Sequence, residues 1–476
     1  RTERDSMGEM TVPAHVLYGA STQRAVLNFP VSGKPVPPQV IRAFGLLKKA
    51  CAEANLELKK LDEKRAKLII GACDDLIAGL QGETSKLGAT PLQVMEHFPI
   101  DVFQTGSGTS TNMNANEVIS NLACQAAGKS IGAKDPVHPN DHVNMGQSSN
   151  DTFPTAMQVA AAVAIKEILI PGLKRLAKAL HKKARQWDRT VKIGRTHLMD
   201  ATPIRVGQEF SGFAAQADYA VERAQHALNV LAGNLPIGGT AVGTGINTHP
   251  RFGKMVAQRL SKSTGVKFAE AANHYEAQAT RDCIVEASGA LKTIAVSLSK
   301  IANDIRWLGS GPRCGLFELS LPATQPGSSI MPGKVNPVIC ESVMMVACQV
   351  VGNDASITMA GTGGVGSLLQ LNVAMPVMAE NVMSSIEILG NASEMFVDRL
   401  LDGLELNKDI AEGMVEKSLM MCTSLAPVIG YDNAATVAKE AFASGQTVRE
   451  YVLEKGLVEP DQLDELLDPR GMTEPH

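Results

Sequence analysis

"RDCIVEASGALKTIAVSLSKIANDIRWL", residues 281–308, decides the fold class. Its apolar residues fall at Ala287, Leu291, Ile294, Leu298, Ile301, Ile305 and Leu308, in alternating steps of four and three. That spacing lays one apolar seam along a helix packed lengthwise against other helices. A second stripe passes through Ile165, Leu169, Leu173, Leu176 and Leu180 within 155–187, where Pro171 is expected to kink or divide the helix. Helical patterns also read at 38–60, 64–81, 114–127, 205–232, 337–352 and 373–401. The spacing therefore predicts a mainly α protein with a long central bundle. The first dozen residues and the proline-rich 30–38 read as irregular, and the chain from 404 on reads as short helices and turns with more charge. Three domains follow as an expectation: 1–137, a central helical bundle 138–403, and a small C-terminal domain 404–476.

Composition agrees with helices and narrows the function. Aromatic residues are 4% of the 476, which favours helix over sheet. Lys and Arg number 45 against 49 Asp and Glu, with no dense run of one sign, so no nucleic-acid partner is expected. No uninterrupted apolar stretch approaches the ~20 residues that span a bilayer, so no membrane partner is expected either. The cysteines at 51, 73, 124, 283, 314, 340, 348 and 422 show no metal-ligand spacing. Most sit in apolar neighbourhoods, so reduced and mostly buried thiols are expected, and with them a cytoplasmic protein, or a mitochondrial one if a transit peptide has been removed ahead of Arg1.

Four polar islands break the helical pattern: "TGSGTSTNMNANE" (105–117), "HPNDHVNMGQSSND" (138–151), "GRTHLMDATP" (194–203) and "QPGSSIMPGKVNPVICE" (325–341). Any one alone reads as a turn with a capping side chain. Together they carry more Asn, Ser, Thr and His than caps need, which favours one shared binding site on a rigid scaffold. In the last island Asn336 reads as an N-cap with Pro337 at the first helical position. Gly327 and Gly333 let the backbone bend ahead of it. That loop displays Ser328, Ser329 and Lys334 beside an electropositive helix start, which suits a carboxylate or phosphate. Glu341 can cap the helix or can orient a histidine and raise its basicity. His197, in a polar turn between Thr196 and Asp200, is the best candidate for that histidine. "GGTAVGTG" at 238–245 lacks a preceding strand and a ribose-binding acid, and no phosphate-binding or metalloprotease signature appears, so no metal or organic cofactor is expected.

"GSSIMPGKVNP" closely resembles the signature of the fumarase/aspartase superfamily, and the other islands match it in order and spacing from "RDSMGEM" to "IGYDNAA". Within it the chain looks like a class II, iron-independent fumarase. His197 stands where aspartases typically carry glutamine, and His138 opens "HPNDHVN" where they differ. The resemblance implies a mainly α, three-domain subunit whose long central bundle assembles into a twenty-helix core in a homotetramer, each active site being shared by three subunits. It implies reversible hydration of fumarate, a small dicarboxylate of the tricarboxylic acid cycle, to (S)-malate through an aci-carboxylate. By resemblance Ser328 is the base, and His197 with Glu341 exchanges a proton with the departing hydroxyl. Lys334 and Asn336 would stabilise the intermediate. Ser107, Gly108, Thr109, Ser148, Ser149, Asn150, Thr196, Ser329 and Val335 would bind substrate. His138, Pro139, Asn140 and Asp141 match a second anion site, near which Asp135 stands where some members carry a basic residue. Two other functions share the pattern: an aspartate ammonia-lyase, and a noncatalytic structural relative.

Overall fold

All the seam residues of 281–308 are buried, on a helix that runs Asp282–Leu308. The structure, a computed structural model, describes residues 1–475 and is helical over most of its length. The other principal helices are Pro38–Glu57, Glu63–Leu80, Thr109–Ala126, Ser149–Ala164, Ile170–Gln186, Val206–Ala232, Phe252–Thr264, Val338–Gly361 and Met375–Phe396. Their starts follow local chemistry. Asp62 accepts from the Arg65 amide at the head of Glu63–Leu80, and Pro38 opens its helix where no N–H is needed.

The chain divides into two compact units, each assembled from three segments. The first comprises Arg1–Pro171, Glu222–Ala295 and Ala347–Asn391. In it Pro38–Glu57 packs against Glu63–Leu80, Ser149–Ala164 and Phe252–Thr264, burying Ile41, Phe44, Leu47 and Cys51. The second comprises Gly172–Val221, Val296–Val346 and the chain from Ala392. Its C-terminal part has a core of Val415, Met421, Leu425, Val437, Val452, Leu463 and Leu467.

Several expectations require correction. Helix 155–187 begins earlier, at Ser149, and carries one widened, π-type turn, Ile165–Leu169, just before Pro171. Proline has no N–H and its ring crowds the carbonyl four residues back, so the turn ahead of it opens. Helix 114–127 starts instead at Thr109, which makes most of the 105–117 island helical. The first dozen residues are not irregular: Thr2–Asp5 pairs with Gly8–Thr11 in a hairpin. The island 194–203 belongs to a longer hairpin, Val191–Thr196 with Met199–Arg205. The helix after the glycine-rich loop starts at Val338, and Asn336 does not cap it. By length and composition, two helical stretches could cross a membrane: Ser149–Gln186, whose apolar window is 72% buried, and Val338–Gly361, whose window is 33% buried.

Candidate active site

In the first unit the 105–117 and 138–151 islands meet. Thr109 Oγ1 lies 2.8 Å from Ser107 Oγ and 2.7 Å from Ser149 Oγ, a continuous chain of half-buried hydroxyls at two helix starts. Backbone approach makes this contact possible. A Cβ on Gly106 would lie 1.7 Å from the Val373 carbonyl oxygen, and one on Gly108, at φ 71°, would enter the Phe153 ring. Ser148 caps the second helix in a reciprocal box with Asp151, whose Oδ1 accepts from the Ser148 amide at 2.9 Å. Two helix N-termini carrying hydroxyls suit a carboxylate, because their free amides and dipoles are electropositive.

Beneath these hydroxyls lie residues that the sequence reading missed, Asp151, Thr240 and Lys48, together with Asn150, which it assigns to substrate. Asp151 Oδ2 accepts from the amides of Gly238 (3.1 Å) and Thr240 (2.8 Å), and Asn150 Nδ2 donates to the Ala241 carbonyl at 2.8 Å. The glycine-rich 238–245 segment is thus a brace for the 148–151 turn. Thr240 sits at φ 55°, a costly conformation for a β-branched residue, held by the Asp151 carboxyl and by Gln278 Nε2 on its carbonyl. Lys48 is completely buried, with its ammonium 2.8 to 2.9 Å from Asn112 Oδ1, Asn144 Oδ1 and Gln147 Oε1. Other polar residues of the 105–117 island serve structure: Asn114 donates to the His97 carbonyl, and Glu117 accepts the amides at the start of Ala20–Asn28.

Burial pushes the Asp151 carboxyl up from 3.8 to about 6, against the pull of its three amide donors. The folded state therefore holds this proton more tightly than the unfolded chain does. The resulting stabilisation is complete below pH 3.8 and is lost as pH rises through about 6, a change of about 3 kcal/mol. Asp151→Asn should abolish this slope. It should also cost roughly 1–3 kcal/mol at pH 7, because an NH2 group then faces backbone donors. Thermal denaturation between about pH 4 and 7 reads both effects.

In the second unit His197 and Leu198 form the two-residue tip of the 191–205 hairpin, at φ 56° and 63°. Such a turn is usually made by Asn-Gly, so placing His-Leu here costs backbone strain, which concentrates at functional positions. Thr196 and His197 are exposed. The hairpin is anchored below its tip. Glu318 receives Lys192 and Arg195, each at 2.7 Å, and Lys192 also reaches Glu209 at 2.9 Å. A bulge follows Ile193, and a Cβ on Gly194 would lie 2.7 Å from the Thr202 carbonyl oxygen.

The 325–337 loop is pinched at its neck. The Gly327 amide donates to the Lys334 carbonyl at 2.8 Å, and Asn336 Nδ2 donates to the Gly327 carbonyl at 2.6 Å. A Cβ on Gly327 would lie 2.3 Å from the Lys334 oxygen. Within the loop Ser328 Oγ accepts from the amides of Ile330 (3.2 Å) and Met331 (3.0 Å). Two N–H dipoles aimed at one hydroxyl oxygen favour its anionic form over the alcohol. Ser329 and Lys334 are exposed, and among the described residues the Lys334 ammonium has no partner. Lys334, Val335 and Asn336 line an open pocket of about 340 Å³ with Gly309, Pro312 and Phe317. Glu341 stands exposed in the first turn of Val338–Gly361. Among the described residues of one chain no hydrogen bond or ion pair joins it to His197.

His138 heads a short π-type turn, Pro139–Val143, with Nδ1 accepting from the Asn140 and Asp141 amides at 3.3 and 3.2 Å. Only Nε2 is left for a ligand. Asp135 is ion-paired with Lys129 at 3.6 Å.

A family model described as lyase matches residues 8–352, and one described as the fumarase C C-terminus matches 421–474. The chain is 52% identical to the class II fumarate hydratase of Corynebacterium glutamicum, over 99% of this chain and 95% of that protein. It is 50% identical to the mitochondrial fumarate hydratase of Danio rerio, over 100% and 90% respectively. The crystal structure of a class II fumarase from Schistosoma mansoni superposes with a TM-score of 0.94 at 38% identity, covering 100% of this chain and 99% of that one. A fumarate lyase:delta crystallin structure from Brucella melitensis, bound to cobalt, gives 0.92 at 44% identity with full coverage of both. On matches of this length and identity, the chain belongs to the lyase family that includes the class II fumarate hydratases.

Proposed function

We propose that this chain is a fumarate hydratase that adds water reversibly across fumarate to give (S)-malate, using no metal or organic cofactor. In the dehydration direction the Ser328 alkoxide removes a proton from the carbon beside one carboxylate. The pair of electrons left behind is delocalised into that carboxylate as an aci-carboxylate. Lys334, the second Nδ2 proton of Asn336 and the start of Val338–Gly361 face the added negative charge, which is how preorganised donors lower such a barrier. His197, oriented by Glu341, then protonates the departing hydroxyl through a water, and hydration runs the same steps backward. Ser107, Gly108, Thr109, Ser148, Ser149, Asn150, Thr196, Ser329 and Val335 hold the two carboxylates. The same reading assigns His138 to Asp141 to a second anion site.

One observation carries this reading: Ser328 Oγ, in a pinched loop, takes two backbone N–H bonds. A serine is otherwise too weak a base for a carbon acid.

The active unit in this reading is a homotetramer with a twenty-helix core, each site built by three subunits. Its subunit has three domains, 1–137, 138–403 and 404–476. Support for association comes from Val338–Gly361, where Met345, Cys348, Gly352, Ala355 and Met359 are exposed at helix spacing opposite the buried Val343, Ala347, Val350 and Ile357. A helix apolar on both faces is normally covered on both. A separate glutamate-histidine pairing within one chain is not needed if Glu341 meets the His197 of another subunit.

The test is absorbance at the fumarate band after adding (S)-malate, or aspartate, to chelator-treated protein. Fumarate is expected from malate. A preference for aspartate by about tenfold or more would replace hydratase with ammonia-lyase, and no product from either would leave a noncatalytic relative.

A further inference from the structure

We propose that Lys48 is a positioning residue of the substrate-carboxylate subsite, its buried ammonium setting the spacing at which the Thr109 and Ser149 hydroxyls meet. This rests on the reading of those hydroxyls as carboxylate ligands. Lys48 lies on Pro38–Glu57, and its three protons go to three amide oxygens. Asn112 stands one turn into the helix that begins at Thr109. Asn144 and Gln147 belong to the turn that delivers Ser148 to the next helix. One cation therefore fastens both helix starts from below.

The amides have no freedom to flip. Asn112 Nδ2 donates to Asn144 Oδ1 (3.2 Å), Asn144 Nδ2 to the Gln147 carbonyl (3.2 Å), and Gln147 Nε2 to the Val143 and Met145 carbonyls. Thr152 Oγ1 lies 3.1 Å from the same Asn112 oxygen and 2.8 Å from the Ser148 carbonyl oxygen, between which its single proton is shared. Each oxygen is thus presented to the ammonium by a partner on its nitrogen. A neutral amine offers one donor fewer and no charge, so the tripod would loosen on deprotonation.

Among the described residues no carboxylate touches Lys48, and burial lowers its pKa from 10.5 to about 8. The titratable groups that face it are Cys51 on its own helix, Cys73 on Glu63–Leu80 and Asp151 on Ser149–Ala164. Burial pushes both thiols far up, so they stay neutral near pH 8, and Asp151 has already ionised at about 6. Among these groups only Lys48 changes charge near pH 8.

The experiment is steady-state malate dehydration by the full-length protein across pH, with Lys48→Met, Asn144→Asp and, as control, Thr109→Val. Lys48→Met should raise KM on the order of 10- to 100-fold with a smaller change in kcat, the signature of displaced binding groups. In the unaltered protein KM should climb as pH rises through about 8, and Lys48→Met should lack that limb. Asn144→Asp places a carboxylate on the ammonium and should move the limb up by about one unit or more. This variant decides the matter if Lys48→Met does not fold. A limb unmoved in Asn144→Asp, or an unchanged KM in folded Lys48→Met, overturns the role of Lys48. If Thr109→Val raises KM in the same series, the subsite stands without Lys48; if Thr109→Val leaves KM unchanged, the carboxylate reading itself falls.

Discussion

Ser328→Ala should lower kcat for malate dehydration on the order of 10²- to 10⁴-fold, the range that a positioned base supplies. The oligomer mass by light scattering should not change. The reason is local. Among the described residues the hydrogen bonds of Ser328 Oγ are those from the amides of Ile330 and Met331, so its loss leaves the neck bonds of Gly327, Lys334 and Asn336 in place. The loop should keep its shape while losing the one oxygen that its amides polarise. Ser328→Thr tests the same idea from the other side: it keeps the oxygen but crowds Cβ, so some activity should persist. Wild-type turnover in Ser328→Ala would take the base away from this loop, and the proposed mechanism with it.

How far the sequence could be read depended on what each residue was doing. The 281–308 seam was legible because its apolar period is uninterrupted, and every position on it is buried. The 191–205 hairpin was not. Its turn lacks the Asn-Gly signal, and the bulge after Ile193 breaks the two-residue alternation, so Lys192, Ile193 and Gly194 are buried in succession. Local propensity there is overruled by the ion cluster on Glu318, which anchors the hairpin despite the strain at its tip. The polar islands marked the right stretches for a mixed reason. Ser107, Thr109 and Ser149 form the hydroxyl chain, yet Asn112, Asn114 and Glu117 are consumed by buried backbone and lysine partners. Lys48 left a signal that went unread. It falls on the apolar face of its helix with Ile41, Phe44, Cys51 and Asn55, a position where a surface lysine does not belong. The brace at 238–245 had no such signal, since glycine spacing alone does not reveal which carboxylate the amides will hold.

His197→Asn should likewise lower turnover on the order of 10²- to 10⁴-fold, and combined with Ser328→Ala it tests the shared site directly. His197 sits at the tip of a strained hairpin, Ser328 in a pinched loop, and within one chain neither His197 nor Glu341 has the other as a partner. If the site is completed by different subunits, each variant alone assembles only defective sites. Mixed tetramers behave differently, because a site can take its serine from a His197→Asn chain and its histidine from a Ser328→Ala chain. For random mixing in equal amounts about one site in four is restored, far above the residual rate of either variant. Co-refolding the two proteins, with each refolded alone as control, measures this by the rise in fumarate absorbance. Activity that stays at the level of the separate variants, in material shown by mass to contain hybrids, would place Ser328 and His197 of one chain in the same site. The exposed stripe Met345, Cys348, Gly352, Ala355 and Met359 would then need another explanation than a helix core that brings neighbouring hairpins and loops together.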